Sequence, residues 1–247
     1  MGWGRAGMCE RGTSEDSVAI IGDSRVRSFV THIEKIFHNQ KRQPTKLANV
    51  LVSSWASVGY KHLVCRAEHY LMLGAGRNIL VFCGGINDVV GLFSAKVVPD
   101  PDEWKEAVAW KLRPLKEFFA KHRSKFITPM IVEVFGIGKK YRRLTDDAKH
   151  SVNQFLEDYN NALRDICHDN DGIFVKTSQL NLDQSNDGIH VNYRNNFIMD
   201  GLVATSAPIG LKSDPKSNPQ IYLALHVRNA IQKELRHRRE EYTSDFL

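Results

Sequence analysis

Three short stretches of this 247-residue chain hold side chains that could together perform nucleophilic chemistry. Gly22-Asp23-Ser24 closes the apolar run Val18-Ala19-Ile20-Ile21, so Ser24 stands on a turn where a strand gives way to a helix. A serine at such a turn has its hydroxyl at the sheet edge and its own N–H at a helix start, where developing negative charge is favoured. Gly85-Ile86-Asn87-Asp88 follows another apolar run, Asn78 to Cys83. The Asn87 amide could aim donors at the space above Ser24. Asp187-Gly188-Ile189-His190 offers a carboxylate and an imidazole three residues apart. Asp187 could accept from Nδ1–H of His190 and leave Nε2 to take the serine proton. Each stretch also has a plainer reading, since Asp, Ser and Asn are favoured helix caps and turn formers.

These groups need elements to bring them together, and the hydrophobic pattern supplies them. Beyond the strand before Ser24, apolar spacing predicts a helix over 26–37, a strand over 48–55, a helix over 60–73 and a strand over 78–83. A helix over 104–122 carries Pro114 as a kink or break. A strand over 126–135, an amphipathic helix over 146–168 and a strand over 172–176 follow. Repeated strand–helix alternation predicts a parallel five-stranded sheet covered by helices on both faces. Ligands bind such sheets beyond the carboxyl ends of the strands. Chemistry is therefore expected just after residues 21, 55, 83, 135 and 176.

That rule separates Asp187/His190 from two other Asp-x-x-His pairs. Asp147/His150 and Asp165/His168 lie on the helix before the last strand, whereas Asp187/His190 follows that strand. Tyr141, Arg142 and Arg143, after the fourth strand, stand at the same edge. They could meet an anionic or large substrate, or form an exposed loop; Tyr193 and Arg194 are open to the same two readings. Residues 1–16 read as a disordered lead-in, 17–204 as the domain, 205–220 as a linker, and 221–247 as a basic amphipathic helix with its tail.

No apolar run reaches the ~18 residues of a membrane span. The N-terminus lacks a signal-peptide core, and Cys9, Cys65, Cys83 and Cys167 show no Cys-x-x-Cys spacing. An intracellular, cytoplasmic location is the expectation. The net charge of +6 is concentrated at Lys139-Lys140 with Arg142-Arg143 and at Arg236 to Arg239, so RNA or single-stranded DNA is an alternative partner. Nucleotide binding fares worse. Gly74-Ala75-Gly76 lacks the third glycine of a dinucleotide fingerprint, and Gly136-Ile137-Gly138-Lys139 lacks the first glycine and the Ser/Thr of a phosphate loop.

Gly-Asp-Ser at the first strand, Gly-x-Asn-Asp at the third and Asp-x-x-His after the last together resemble the SGNH (GDSL-type) hydrolases, over roughly residues 18–204. The resemblance implies a three-layer α/β/α sandwich of flavodoxin-like type and an ester hydrolase needing no metal or organic cofactor. It assigns Ser24, Asp187 and His190 as the triad. Ser24, Asn87 and the glycine after strand two, nearest to Gly59, become the oxyanion donors. Arg25 stands where the family has leucine, and with Asp88, Arg142 and Arg143 it is expected to touch substrate, a small ester or acylated molecule. Compact esterase domains of this kind without a secretion signal are similar to those in the first open-reading-frame proteins of some retrotransposons. The superfamily also includes an RNA-binding domain that has lost its catalytic residues.

Overall fold

A computed structural model describes residues 17–25, 49–54, 58–73, 78–93, 99–123, 127–177, 187–189 and 219–244. The strands are β1 (Ser17–Gly22), β2 (Asn49–Ser54), β3 (Asn78–Cys83), β4 (Ile127–Val132) and β5 (Ile173–Val175). All pair in parallel, in the order β2-β1-β3-β4-β5. The helices are α1 (Tyr60–Leu73), α2 (Ile86–Val90), α3 (Trp104–His122), α4 (Asp146–His168) and α5 (Pro219–Ser244). This is the five-stranded doubly wound order whose direction reverses between β1 and β3, and a crevice opens at such a reversal.

The central strands are short, almost wholly apolar and buried, as strands covered on both faces must be. Ala19, Ile21, Leu80, Phe82 and Ile131 point into a core shared with α1, α3 and α4. The alternate residues Val18, Ile20, Ile79, Val81 and Met130 are equally buried on the other face. There Thr128 of β4 bonds to Glu234 of α5, and Leu223, Val227, Ile231 and Leu235 of α5 are buried. The result is the three-layer sandwich implied above. Thr145 caps α4 by accepting from the Ala148 N–H at 3.3 Å, and Asp146 and Asp147 complement its positive end. Val152, Phe155, Tyr159, Leu163 and Ile166 form its buried stripe.

The structure differs from the sequence expectations in four places. Pro114 does not break α3, which runs unbroken through it. The carbonyl that Pro114 cannot reach is that of Trp110, on a face where the indole is 59% exposed and water can replace the missing donor. Strand β4 stops at Val132 rather than Phe135, because side chains take over the hydrogen bonds of residues 134–137. Strand β5 keeps only Ile173–Val175 of the expected 172–176. Helix α5 starts two residues before residue 221, with Pro219 in its first turn, where a missing N–H is harmless. The helix expected over 26–37 lies outside the described residues; Ser24 and Arg25 before it are helical.

Candidate active site

The three candidate stretches lie where parallel topology demands, at the carboxyl ends of β1 and β3 and beside the extension of β4. The Asp23 N–H donates to the Cys83 carbonyl at 3.1 Å, carrying the β1–β3 ladder one step beyond Gly22. Asp23 is fully buried, and its Oδ1 accepts from the Arg25 N–H at 2.8 Å. The helix cap at this turn is therefore Asp23. Ser24, the next residue, is half-buried.

Asn87 joins this turn to the one after β2. Its Nδ2 donates to the Val58 carbonyl at 3.0 Å and lies 3.5 Å from Oδ2 of Asp23. One amide thus touches the neighbour of Ser24 and the neighbour of Gly59. Asp88 completes the arrangement. Its Oδ2 accepts from the Tyr60 N–H at 2.7 Å and from the Tyr159 hydroxyl at 3.3 Å. The first turn of α1, which would otherwise hold an unpaired donor, is capped by a carboxylate from α2. Burial raises the Asp88 pKa, and the Tyr60 N–H and Lys111 oppose that rise. Gly85, at the start of α2, has φ +114°. A Cβ there would stand 2.9 Å from the Tyr60 ring and 3.1 Å from the Tyr159 hydroxyl, so a side chain is excluded by conformation and by space.

The third stretch is reached through Arg25. This residue, read from the sequence as a substrate contact, is 4% exposed. Its Nε donates to the Ile189 carbonyl at 2.9 Å, Nη2 to the Gly136 carbonyl at 3.0 Å, and Nη1 to the Phe135 carbonyl. The guanidinium also lies 4.1 Å from the centre of the Phe135 ring. Burial lowers its pKa to about 10, against the attraction of Asp23, Asp187 and Tyr141. Asp187 is exposed, and its Oδ1 accepts from the Ile189 N–H at 3.0 Å, closing a turn through Gly188 at φ +71°. His190, Tyr193 and Arg194 lie outside the described residues.

Residues 133–138 support this turn although they belong to no strand. The Glu133 N–H still donates to the Val175 carbonyl. Both backbone groups of Val134 pair with the Asn160 amide, each at 2.9 Å. Both of Ile137 pair with the Asn153 amide, at 3.0 and 3.2 Å. The Gly138 N–H donates to the Gly188 carbonyl at 2.7 Å. Asn153 and Asn160 are seven residues apart, two turns of α4, and so share one face. Sequence reading missed both asparagines and Tyr159, while the cap reading of Gly22-Asp23-Ser24 falls on Asp23. The signal for the pair was Asn at i and i+7, with Asn160 inside an otherwise apolar stripe and Asn153 at its exposed margin.

Arg142 and Arg143 are exposed in the turn before α4, while Tyr141 beside them is buried. Asp147 and His150 are exposed at the start of α4, and Asp165 and His168 at its far end, on the opposite edge of the sheet. Among the described residues, no group of three or more His, Cys, Asp or Glu side chains is placed to hold a metal ion. No described helix is long and apolar enough to cross a membrane. A groove of about 540 Å³ runs between α1 and α3, lined by Lys61, Cys65, Asp88, Trp110 and Lys111 among others.

No family model and no curated sequence matches the chain. Solved structures do. A GDSL-like lipase from Bacteroides thetaiotaomicron superposes with a TM-score of 0.55 at 12% identity, over 90% of this chain and 89% of that one. A psychrotrophic esterase from a Pseudoalteromonas species gives 0.54 at 11% identity, over 89% and 98%. A catalytic mutant of an acetylxylan esterase from Geobacillus stearothermophilus gives 0.56 at 14% identity, over 90% and 96%. The chain has the fold of the SGNH hydrolases.

Proposed function

We propose that this chain is a serine esterase that cleaves carboxylic esters through Ser24, His190 and Asp187. Ser24 Oγ attacks the ester carbonyl while His190 takes its proton, then returns it to the leaving alcohol. Asp187 holds the imidazole tautomer and stabilises the imidazolium. The oxyanion is met by the N–H groups of Ser24 and Gly59 and by the Asn87 amide. Water then cleaves the acyl-enzyme by the reverse sequence, so the cycle consumes ester and water alone. Arg142 and Arg143, exposed at this edge, would greet an anionic or bulky substrate.

The observation that carries this reading is the Asn87 amide, which reaches both Val58 and Asp23. Unrelated helix caps have no reason to meet at one side chain; an oxyanion site needs its donors gathered in one place, and the Asn87 N–H directed at Asp23 over 3.5 Å is the one that would turn to the oxyanion. The test is labelling with a fluorophosphonate probe. Wild type should label, Ser24→Ala and His190→Ala should not, and His168→Ala should label like wild type. Folded wild type that stays unlabelled, or equal loss in His168→Ala and His190→Ala, would overturn the assignment.

A second reading is favoured by one feature of the groove between α1 and α3. Trp110 is 59% exposed there, with the Lys111 ammonium 4.6 Å from its ring centre and Lys61 nearby. Exposed indole with flanking cations is how sequence-tolerant proteins hold single-stranded nucleic acid. Salt-dependent binding of a single-stranded RNA that is lost in Trp110→Ala would support a nucleic-acid role.

A further inference from the structure

We propose that Arg25 is a positioning residue that anchors the Asp187–Ile189 turn to the Ser24 turn, and so sets the alignment of base and nucleophile. The catalytic half of this proposal rests on the esterase reading above; the anchoring half does not.

The argument begins with what a guanidinium can do. It presents five donors in a rigid planar fork and no acceptor, so a buried arginine must find several oxygens in fixed directions. Arg25 finds three backbone carbonyls from two separate segments, Phe135 and Gly136 after β4 and Ile189 in the turn. A leucine or methionine could fill the same volume but would satisfy none of these. A lysine could reach one or two of the carbonyls without matching the fork.

The turn has two fixed points. Arg25 holds Ile189 from the β1 side, and the Gly138 N–H holds the Gly188 carbonyl from the β4 side. Gly188 fits only because it lacks a side chain. A Cβ there would stand 2.3 Å from the Tyr141 nitrogen, at a φ that other residues avoid. Ile189 immediately precedes His190, and Arg25 immediately follows Ser24. A shift of the Ile189 carbonyl therefore passes to the base through a single peptide. A misplacement of about 1 Å can cost ~10²-fold in rate.

The proposal also covers the departure from the family pattern at this position. A chain whose Asp-x-x-His turn is held by other means could use an apolar residue after the serine. Here the residues after β4 leave the sheet early, and the two carbonyls left facing inward at Phe135 and Gly136 are those the guanidinium takes.

The test uses the full chain with Arg25→Met, Arg25→Lys and Gly188→Ala, read by amide hydrogen exchange and by activity. In Arg25→Met the Gly138 and Ile189 amides should exchange roughly tenfold faster, while Val134 and Ile137, held by the asparagines, keep their protection. Fluorophosphonate labelling and kcat on p-nitrophenyl acetate should fall ~10²-fold with KM little changed. Arg25→Lys should recover part of both. Unchanged exchange at Gly138 and Ile189 overturns the anchoring. Faster exchange throughout the protein reduces Arg25 to a general stabiliser, and a loosened turn with wild-type labelling removes the catalytic role. If Arg25→Met does not fold, Gly188→Ala displaces the turn from its other side with Arg25 intact, and wild-type behaviour of that variant overturns the proposal. Wild type that fails to label removes the esterase reading and the catalytic half together, while the exchange comparison still decides the anchoring.

Discussion

Gly59 lies so close to Asp88 that a Cβ on residue 59 would stand 2.0 Å from the carboxylate Oδ1. The close approach lets Asp88 cap the Tyr60 N–H while the neighbouring Asn87 bonds the Val58 carbonyl, so one short helix grips both sides of Gly59. Gly59→Ala must push Asp88 out of this position. It should lower kcat by about 10–10² through displacement of an oxyanion donor and destabilise the fold by about 1–3 kcal/mol through the broken cap. Adding Asp88→Ala to Gly59→Ala should destabilise less than the two single changes summed, because the clash is gone. Denaturant midpoints of the four proteins give the coupling, and strict additivity would mean that the loop moves away at no cost.

Asn87 has two roles that different substitutions separate. Asn87→Ala removes the oxyanion amide and the bond to Val58, and kcat on an ester should fall ~10²–10³-fold with little change in KM. Asn87→Asp keeps the shape but sets a second carboxylate near Asp23, which is fully buried. It should be both inactive and less stable, the loss of stability shrinking at acid pH as one carboxylate protonates. Steady-state kinetics with urea titrations at two pH values would check both. Full activity in Asn87→Ala would remove it from the oxyanion site.

The elements most readable from the sequence are those governed by one strong period. Helices α1 and α4 and strand β3 fall where the pattern predicted, because their ends carry turn or capping residues and their interiors a clean apolar stripe or run. Strand β4 was misjudged at its carboxyl end for a physical reason. Val134, Phe135 and Ile137 are apolar and buried like strand residues, but their backbone partners are asparagines on α4 and a guanidinium, which leave no local pattern.

The site was readable in part for the same reason. Ser24 and Asn87 could be proposed because each sits just past an apolar run, and Asp187 because its pair with His190 is the one that follows the last strand. The interior role of Arg25 could not be seen, since a charged residue after a strand reads as surface or substrate contact. Only three carbonyls from distant segments make it a buried one. The support of Gly59 by Asp88 was hidden likewise, because their contact is set by packing between α1 and α2 rather than by spacing along the chain.

The two asparagines of α4 should differ in value by their burial. Asn160 is 9% exposed and holds both backbone groups of Val134, so Asn160→Ala strands a buried donor and a buried acceptor. The expected loss is about 2–4 kcal/mol. Asn153 is exposed, so water can replace its two bonds to Ile137 once the amide is gone, and Asn153→Ala should cost only about 1 kcal/mol. Urea unfolding would rank them. Equal losses would show that the extension of β4 stands as a unit rather than bond by bond.

Asp88 supplies a pH signature that a neutral isostere should erase. Burial raises its pKa above the ordinary 3.8, so the folded protein holds that proton more tightly than the unfolded chain does. Between the ordinary and the raised value the folded state binds more protons, and this group's contribution to stability falls as pH rises. Above the raised value the penalty for the buried carboxylate is constant. Asn at 88 does not titrate and can still accept from the Tyr60 N–H. The stability of Asp88→Asn relative to wild type should therefore shift in favour of the variant as pH climbs from below 3.8 through this window, then level off. Paired urea titrations at half-unit steps cancel the other carboxylates by difference. A relative stability moving the opposite way would mean that the Tyr60 N–H, the Tyr159 hydroxyl and Lys111 together outweigh burial, and that the ionised form is the one the site is built around.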